Sequence, residues 1–474
     1  MPPTTPRIPK KIVLCCDGTW NQPERTVDDR KHQPTNVLKL TRALLAQDGE
    51  GRHQIVYYDT GVGTDRGLYD RFIGGALGLG LSAHIKKAYR FLANNFHEGD
   101  ELYCFGFSRG AYSVRALAGM IGAVGLLHPR DIHHLPLAYR YYRTPPAERK
   151  ISPLHEVLGS LQRRTIPIKF MGVWDTVGAL GVPIPLIQRL SQWRVGFFNT
   201  ELGHHIQYAY QALAIDERRR PFAPDLWQDV EHRTTPEGNP LYGKDRKVLQ
   251  VWFPGAHSNI GGGYPDPGLS DVAFTWLMNR AREHGLAFDE QFLKDPDRIN
   301  PNPYATLYPS PSKWWKLLSL VGIRPYDRSI GEPANDSLKS ALGIHEMIHE
   351  SVWDRLNPSS HNVPIPAAYT PLNFTKVERG NMPIFRERRR PRLHGNWSAS
   401  LITTPEGNAI DCQVLDLSQN TGARILCHTP LPTTNAPVWL ESIPLRLNAQ
   451  RAHIVWSDRD QAGLEFATGE RSTE

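Results

Sequence analysis

The sequence predicts an α/β protein with a mostly parallel sheet covered by helices on both faces, followed by a small C-terminal β-barrel. Over most of the 474 residues, short apolar runs that end in turn residues alternate with helical patterns. Such alternation is typical of a parallel sheet. Beyond a basic run, short strands are separated by turn residues, as in a small barrel.

Five apolar runs are predicted to be buried strands, because a continuous run bounded by a turn signal is typical of a parallel strand covered on two faces. They lie at residues 10–16, 53–59, 101–105, 166–174 and 248–253. Apolar periodicity predicts helices among and after them. These lie at residues 82–96, 111–122, 205–214 and 337–356.

A change of composition divides the chain. Prolines punctuate a loop-rich stretch after residue 300, and a basic run, Arg-Glu-Arg-Arg-Arg-Pro-Arg, occupies 386–392. We therefore predict an α/β domain at 1–380 and a β-barrel domain at 386–474, with the boundary near 376–386. The barrel strands are predicted at 397–403, 411–417, 423–428, 445–447, 453–456 and 463–466.

The composition is that of a globular protein, with 40% hydrophobic residues, 22% charged residues and a net charge of +7. A basic surface favours anionic partners, although soluble proteins are often mildly basic. The five cysteines show neither metal-ligand spacing nor a disulfide framework, so we predict no metal site. No segment resembles a signal peptide or reaches the roughly 18 apolar residues of a membrane span. We expect a cytoplasmic protein, which leaves the cell, if at all, without a cleaved signal.

The segment Gly-Phe-Ser-Arg-Gly at 106–110 predicts a nucleophile. Gly-x-Ser-x-Gly is a weak pattern alone, but here an apolar strand precedes it and a helical segment follows. A nucleophile elbow requires this context, because its serine occupies a tight strand-to-helix turn. Ser108 is therefore the predicted nucleophile, at a helix N-terminus that favours a developing oxyanion. The alternative is a structural turn.

A serine hydroxyl needs a base, and the base needs an acid to orient it. Asp175 and His257 each follow an apolar strand, and the order Ser108, Asp175, His257 is that of α/β-hydrolases. We therefore predict a catalytic triad of these three residues. Asp17 precedes the serine, and Asp216 has the pattern of a salt-bridged carboxylate at a helix end, so both are weaker candidates for the acid.

An early strand-end loop supplies the second oxyanion donor in this kind of fold. Asp-Gly-Thr at 17–19 follows the first predicted strand. We therefore assign the backbone of Gly18 or Thr19, together with the N–H of Arg109, to the predicted oxyanion hole.

Five segments occur in a fixed order: Leu-Cys-Cys-Asp-Gly-Thr-Trp-Asn at 14–21, Tyr-Asp-Thr-Gly-Val-Gly at 58–63, Gly-Phe-Ser-Arg-Gly-Ala-Tyr at 106–112, Val-Trp-Asp-Thr-Val at 173–177 and Gly-Ala-His-Ser-Asn-Ile-Gly-Gly-Gly-Tyr at 255–264. The set resembles the catalytic domain of the type VI secretion phospholipase effectors, over roughly residues 10–375. The resemblance implies an α/β-hydrolase fold, a triad at Ser108, Asp175 and His257, and ester hydrolysis, in some members of phospholipids. We expect no cofactor for catalysis. Asn259 departs from the acid expected in that family's loop.

The segment at 311–324 combines aromatic and aliphatic residues with flanking cations, and includes Trp314 and Trp315. This composition fits a segment in a membrane interface, which would make a peripheral membrane contact. It equally fits a lid or a core helix. We favour the lid or core, because amphipathic stripes are more often packed than bound to lipid.

An Arg-x-x-x-Arg pattern stands ahead of the predicted barrel, and Asp-Leu-Ser follows one of its strands. Guanidinium groups bind phosphates through two hydrogen bonds and stack on flat bases. The pairing resembles the PilZ domain, a small β-barrel that binds cyclic di-GMP, over about residues 386–470. The resemblance implies nucleotide contacts from Arg388, Arg392, Asp416 and Ser418. The motif here, Asp-x-Ser-x-x-x-Gly, has one extra residue.

Together these features predict a serine ester hydrolase of the esterase or phospholipase type, regulated by cyclic di-GMP at the C-terminal domain. The expected substrate is an ester or phospholipid. The alternatives are a non-catalytic cyclic di-GMP receptor that uses a hydrolase-like scaffold for protein interaction, and a secreted antibacterial lipase. We expect no nucleic-acid partner, because the basic residues cluster only near 386–392.

Overall fold

A computed structural model describes residues 7–18, 33–61, 76–178, 202–227, 247–310, 327–330, 345–356, 369, 371, 373, 384–385, 393–402, 409–418, 422–427, 438–442, 447–458 and 461–466. Contacts divide the chain into two units, residues 1–385 and 386–474. The first unit holds a parallel sheet with its helices, and the second holds a barrel.

The described strands of the first unit are β1 (Lys11–Cys16), β2 (Gln54–Asp59), β3 (Glu101–Phe107), β4 (Leu126–Leu127), β5 (Arg163–Arg164), β6 (Ile168–Trp174), β7 (Ile206–Ala214), β8 (Lys247–Phe253), β9 (Glu346–His349) and β10 (Ile384–Phe385). Eight of them form one sheet in the order β10-β9-β8-β7-β6-β3-β1-β2, and their pairings are parallel. β4 and β5 pair separately and antiparallel. The predicted mostly parallel sheet is confirmed.

The described α-helices are α1 (Asn36–Ala43), α2 (Ala76–Asn95), α3 (Arg109–Val124), α4 (Leu135–Arg143), α5 (Pro146–Arg149), α6 (Pro153–Gly159), α7 (His257–Gly261), α8 (Gly268–Glu283), α9 (Glu290–Lys294) and α10 (Glu350–Leu356). Two 3₁₀ turns lie at Pro129–His134 and Arg220–Phe222. None of the helices described combines the length and apolar character needed to cross a bilayer.

β1 shows how helices cover both faces of the sheet. Ile12, Leu14 and Cys16 pack in one core with residues of α2, α3 and α4. Val13 and Cys15 pack in a second core with residues of α1 and α8. All six residues of β1 are buried, which is the pattern of a parallel strand between two helical layers. The prediction of helices on both faces is confirmed.

The strand order reverses between β1 and β3. The chain passes from β1 outward to β2 and returns past β1 to β3, and the later strands extend the sheet on that side. In sheets of this kind, ligands bind outside the carboxyl ends of the strands at the point where the order reverses. The loops that follow β1 and β3 therefore flank the crevice in which a site is expected.

One predicted helix is wrong, and a second is wrong in part. Residues 205–214 contain β7, and the predicted helix at 337–356 contains β9 before α10. The alanine-rich run of β7 has apolar residues at helical spacing, but it pairs with both β6 and β8. Tertiary pairing overrides local preference in such a central strand. Residues 337–344 lie outside the described part of the chain.

The second unit is a closed barrel in the order β11-β12-β13-β16-β15-β14. Its strands are β11 (Leu393–Ile402), β12 (Ala409–Ser418), β13 (Gly422–Cys427), β14 (Val438–Ser442), β15 (Leu447–Asp458) and β16 (Gln461–Phe466). Alternate residues fill its core, including Leu401, Val414, Ile425 and Leu440. The predicted small barrel is confirmed. β15 contains residue 447 of the strand predicted at 445–447 and all of the strand predicted at 453–456, and residues 445–446 lie outside the described part of the chain. β14 was not predicted.

Candidate active site

The candidate active site lies at the carboxyl ends of β3, β6 and β8. Ser108 directly follows β3, Asp175 directly follows β6, and His257 begins the helix after β8. β3 pairs with both β1 and β6. Parallel strands end at the same edge of a sheet, so the side chains that follow them can converge.

Ser108 occupies a sharp turn between β3 and α3, with φ of 58° and ψ of −121°. Non-glycine residues rarely adopt a positive φ, and such strain costs about 1–3 kcal/mol. The Ser108 N–H donates to the Trp174 carbonyl at 3.0 Å, which ties the turn to the end of β6. This is the strained strand-to-helix turn that a nucleophile elbow requires.

The two glycines of the motif permit close approaches on either side of Ser108. A Cβ on Gly106 would lie 2.6 Å from Cα of Ala111, and a Cβ on Gly110 would lie 2.1 Å from the Cys16 carbonyl oxygen. Backbone atoms cannot be approached so closely by a side-chain carbon. The glycines therefore allow α3 to pack against β3 and against the end of β1.

The three predicted triad side chains meet in one hydrogen-bonded chain. His257 Nε2 lies 2.8 Å from Ser108 Oγ, and His257 Nδ1 lies 2.5 Å from Asp175 Oδ2. All three are buried, with exposed fractions of 7% for Ser108, 4% for His257 and 0% for Asp175. In this arrangement an imidazole can take the serine proton, while the carboxylate fixes its tautomer.

Groups other than His257 also hold Asp175. Its Oδ1 accepts a hydrogen bond from the Ala214 N–H at 3.0 Å. Arg328 donates from both terminal nitrogens, to Oδ1 at 2.6 Å and to Oδ2 at 2.9 Å. Such a two-nitrogen contact fixes both the geometry and the charge of a carboxylate. The sequence does not predict Arg328, because it stands in a Pro-rich stretch with neither periodicity nor a motif.

Burial and charge act in opposite directions on Asp175. Burial raises the pKa of its carboxyl, but Arg328 and the hydrogen bond from His257 outweigh burial and hold that pKa well below its usual range. Burial lowers the pKa of His257, and the hydrogen bond to Asp175 only partly opposes this. His257 is therefore neutral at neutral pH, which is the form that accepts a proton.

A second carboxylate, Glu217, lies beside His257. Its Oε2 accepts from the backbone N–H of His257 at 3.3 Å, and Arg219 donates to its two oxygens at 2.8 and 2.7 Å. Burial raises the pKa of Glu217, but Arg219 lowers it to about 2. An ionised Glu217 thus anchors the start of α7. Glu217 could not be predicted from the sequence, in which it forms only an acidic pair with Asp216.

The two weaker candidates for the acid are held within other contacts. Asp17 accepts from Thr35 Oγ at 2.6 Å and from the Tyr58 hydroxyl at 2.7 Å. Asp216 accepts from a backbone N–H at 2.6 Å and from the Tyr369 hydroxyl at 2.9 Å. These hydrogen bonds direct both carboxylates into the surrounding loops, whereas the carboxylate after β6 contacts the imidazole ring.

The predicted oxyanion donors differ in their placement. The Gly18 N–H donates to Asp17 Oδ1 at 2.6 Å, so it is engaged within its own loop. Thr19 lies outside the described residues. Arg109 directly follows Ser108 as the first residue of α3, and backbone N–H groups at this position have no acceptor within the helix.

The side chain of Arg109 has no carboxylate partner among the residues that the structure describes. Burial lowers the pKa of its guanidinium to about 10, and no acidic group of the described residues opposes this effect. The guanidinium remains a cation at neutral pH.

The nucleotide-binding and membrane predictions fall mostly outside the described residues. Arg388 and Arg392 are among the residues not described, as is the segment at 311–324 with Trp314 and Trp315. These predictions therefore rest on the sequence alone.

The remaining nucleotide-binding positions lie on a described strand. Asp416 and Ser418 belong to the end of β12. Ser418 pairs with Gly422 of β13, and the register of the two strands shifts between Val414 and Asp416. Residues 419–421, which include the extra residue of the motif, lie outside the described part of the chain.

The family model described as "T6SS, Phospholipase effector Tle1-like, catalytic domain" matches residues 10–280, more than half of the 474 residues. The match runs from β1 into α8. It includes Ser108, Asp175 and His257, and it ends before Arg328.

An uncharacterised protein of Saccharomyces cerevisiae is 32% identical over 235 residues, which cover 45% of this chain and 32% of the yeast protein. A solved structure of an uncharacterised protein from Pseudomonas aeruginosa is 18% identical, with a TM-score of 0.35, and the match covers 62% of this chain and 48% of that one. For the Tle1 effector bound to the VgrG spike of the type 6 secretion system, the identity is 18%, the TM-score 0.33 and the coverage 54% and 51%. The chain spans about a third of the curated relative and about half of each solved structure.

From the family match over residues 10–280, the chain belongs to the Tle1-like catalytic domain family of type VI secretion phospholipase effectors.

Proposed function

We propose that the chain is a serine hydrolase that cleaves acyl esters, with Ser108 as nucleophile, His257 as general base and Asp175 as the residue that orients the base. The observation that carries the proposal is the hydrogen-bonded chain between them, 2.8 Å from Ser108 to His257 and 2.5 Å from His257 to Asp175. Membership in a phospholipase effector family supports the same class of reaction.

In the proposed reaction, His257 takes the Ser108 proton as Oγ attacks the ester carbonyl. The Arg109 N–H stabilises the oxyanion of the tetrahedral intermediate, and Asp175 stabilises the imidazolium. His257 then gives its proton to the departing alcohol, which leaves an acyl group on Ser108. Water attacks this acyl group by the same route, releasing the acid and restoring the serine hydroxyl.

A phospholipid is the proposed ester substrate. The family description supports this choice, because it names phospholipases. Arg109 directly follows Ser108 in the chain and has no carboxylate partner among the described residues, and a cation at this place would attract an anionic substrate. Equal rates of acyl release from neutral diacylglycerol and from an anionic phospholipid would argue against this choice.

A fluorophosphonate probe tests the nucleophile directly. The parent protein is expected to be labelled at one serine and a Ser108→Ala variant to remain unlabelled, since only an activated hydroxyl reacts with the probe. Ser160→Ala is a matched control, because Ser160 is exposed and its hydroxyl donates to the nearby Val157 carbonyl. Labelling of the parent at another serine, or no labelling, would contradict the proposal, and no labelling would favour a non-catalytic receptor.

We also propose that the C-terminal barrel binds cyclic di-GMP and so regulates hydrolysis, through Arg388, Arg392, Asp416 and Ser418. The support is the sequence resemblance together with a closed six-stranded barrel. Pairing of Ser418 with Gly422 despite the extra residue is also consistent with a motif at the end of β12.

Titration calorimetry tests the nucleotide proposal. The parent is expected to release heat on addition of cyclic di-GMP, whereas a variant with Arg388→Ala and Arg392→Ala is not, because two guanidinium groups that hold phosphate are lost. Arg451→Ala, an exposed arginine of β15, is the matched control. A parent that gives no heat would exclude binding, and a hydrolysis rate that ignores saturating nucleotide would exclude regulation.

A further inference from the structure

Arg328 is a buried cation whose two terminal nitrogens each donate two hydrogen bonds. Besides the two oxygens of Asp175, it donates to the Ala214 carbonyl at 2.8 Å and to the Phe222 carbonyl at 2.5 Å. Its exposed fraction is 1%. Four acceptors fix the plane of the guanidinium, so the position of the Asp175 carboxylate is determined by Arg328 as well as by β6.

The segment that carries Arg328 is anchored to the ends of β7 and β8. Ile330 packs in a core with Leu213 and Trp252. Asn373 donates to the Arg328 carbonyl at 3.2 Å and to the Ile215 carbonyl at 3.0 Å. The segment therefore packs against the carboxyl ends of β7 and β8. It lies beyond residues 10–280, which the family model covers.

Charged groups from two places among the described residues face the Asp175–His257 pair. The loop after β7 contributes Glu217 and Arg219, with Asp216 nearby, and the later segment contributes Arg328. Arg219 is paired with Glu217, and Arg328 is, among the described residues, the cation that directly balances the buried Asp175. Without it, the uncompensated carboxylate would favour a positively charged imidazole.

We propose that Arg328 is a positioning residue for the Asp175–His257 pair, and that by balancing the charge of Asp175 it sets the lower pH limit of hydrolysis. This inference rests on the proposed serine hydrolase. It implies that the working site needs a segment outside the family's matched region.

The sign of the pH effect follows from the base. Only neutral His257 accepts the serine proton, so the rate falls as the pH drops through the apparent pKa of the Asp175–His257 pair. With burial lowering the pKa of His257, the acid limb of the parent is expected below pH 6.5, the usual value for histidine. Without the positive charge of Arg328, the Asp175–His257 pair keeps its proton up to a higher pH. The midpoint of the acid limb therefore moves to higher pH.

The experiment measures kcat/KM for a soluble ester, and the rate of fluorophosphonate labelling, as functions of pH. Arg328→Met is expected to raise the midpoint of the acid limb by about one pH unit or more. Arg328→Lys keeps the charge but cannot bridge both carboxylate oxygens, so we expect an unshifted limb and kcat lower by about tenfold. Arg218→Met is the matched control, since Arg218 pairs with Asp327 in the same segment on the surface.

The outcomes separate the inference from the proposed function. A parent that is neither labelled nor active would overturn the serine hydrolase itself. An active parent with the same acid limb in Arg328→Met would overturn the pH role of Arg328. If Arg328→Met does not fold, Arg328→Lys tests the positioning role instead. A kcat equal to that of the parent in Arg328→Lys would overturn the proposal that the two-nitrogen contact positions Asp175.

Discussion

Replacement of His257 by glutamine is expected to lower kcat for ester hydrolysis by at least about 10⁴-fold. Glutamine cannot take the proton from Ser108, whose Oγ lies 2.8 Å from His257 Nε2. A Ser108→Ala, His257→Gln double variant is expected to be no slower than either single variant, because residues that act as one unit are not additive. Steady-state kinetics with a soluble ester checks both expectations.

The control for this loss is a second histidine of the first unit, His284, which is partly buried. His284 stacks on Tyr208 with ring centroids 3.6 Å apart and bonds to the Tyr210 hydroxyl at 2.8 Å, next to strand residues rather than to Ser108. His284→Gln is expected to retain turnover in the fraction of protein that folds. Turnover that survived in His257→Gln would mean that another group removes the serine proton.

Replacement of Gly110 by alanine is expected to destabilise the first unit by at least about 3 kcal/mol and to abolish activity with it. The new Cβ would lie 2.1 Å from the Cys16 carbonyl oxygen and 2.5 Å from that of Asp17. Both contacts are backbone atoms, so no side-chain rotation can relieve them, and α3 would have to move away from β1. Urea denaturation, followed by a signal from the first unit, measures the free energy of unfolding.

Gly159→Ala is the matched control. Gly159 ends α6, and a Cβ there meets no atom within 4 Å. Alanine is favoured over glycine in helices, so the variant is expected to be neutral or stabilised by up to about 1 kcal/mol. Equal stability of the two variants would show that the elbow does not pack against β1 as described.

Much of the candidate site could be predicted because its signals are local. Ser108, Asp175 and His257 each stand just beyond an apolar strand, and parallel strands bring such positions to one edge. Arg328 could not be predicted in this way. It reaches Asp175 through the folding of a segment more than 150 residues away along the chain, and no spacing rule relates the two.

The secondary structure was predicted where apolar runs are continuous. It was missed where pairing with neighbouring strands determines whether a segment is a strand or a helix. β1 and β8 are typical of strands covered on both faces, whereas β7 contains alanines at helical spacing and becomes a strand because β6 and β8 flank it. β9 has only four residues, and its pairing with β8 distinguishes it from the first turn of a helix. Local preference is a weak signal in both segments.

The positive φ angles of Ser108 and Asp175, 58° and 39°, lower the stability of the fold at two positions that the proposed reaction uses. Glycine would relax either position, because it adopts such angles without the cost of about 1–3 kcal/mol that other residues carry. A related protein that is not selected for ester hydrolysis would become more stable with glycine there. We therefore expect that a homologue with glycine at these positions keeps the fold and lacks the proposed activity.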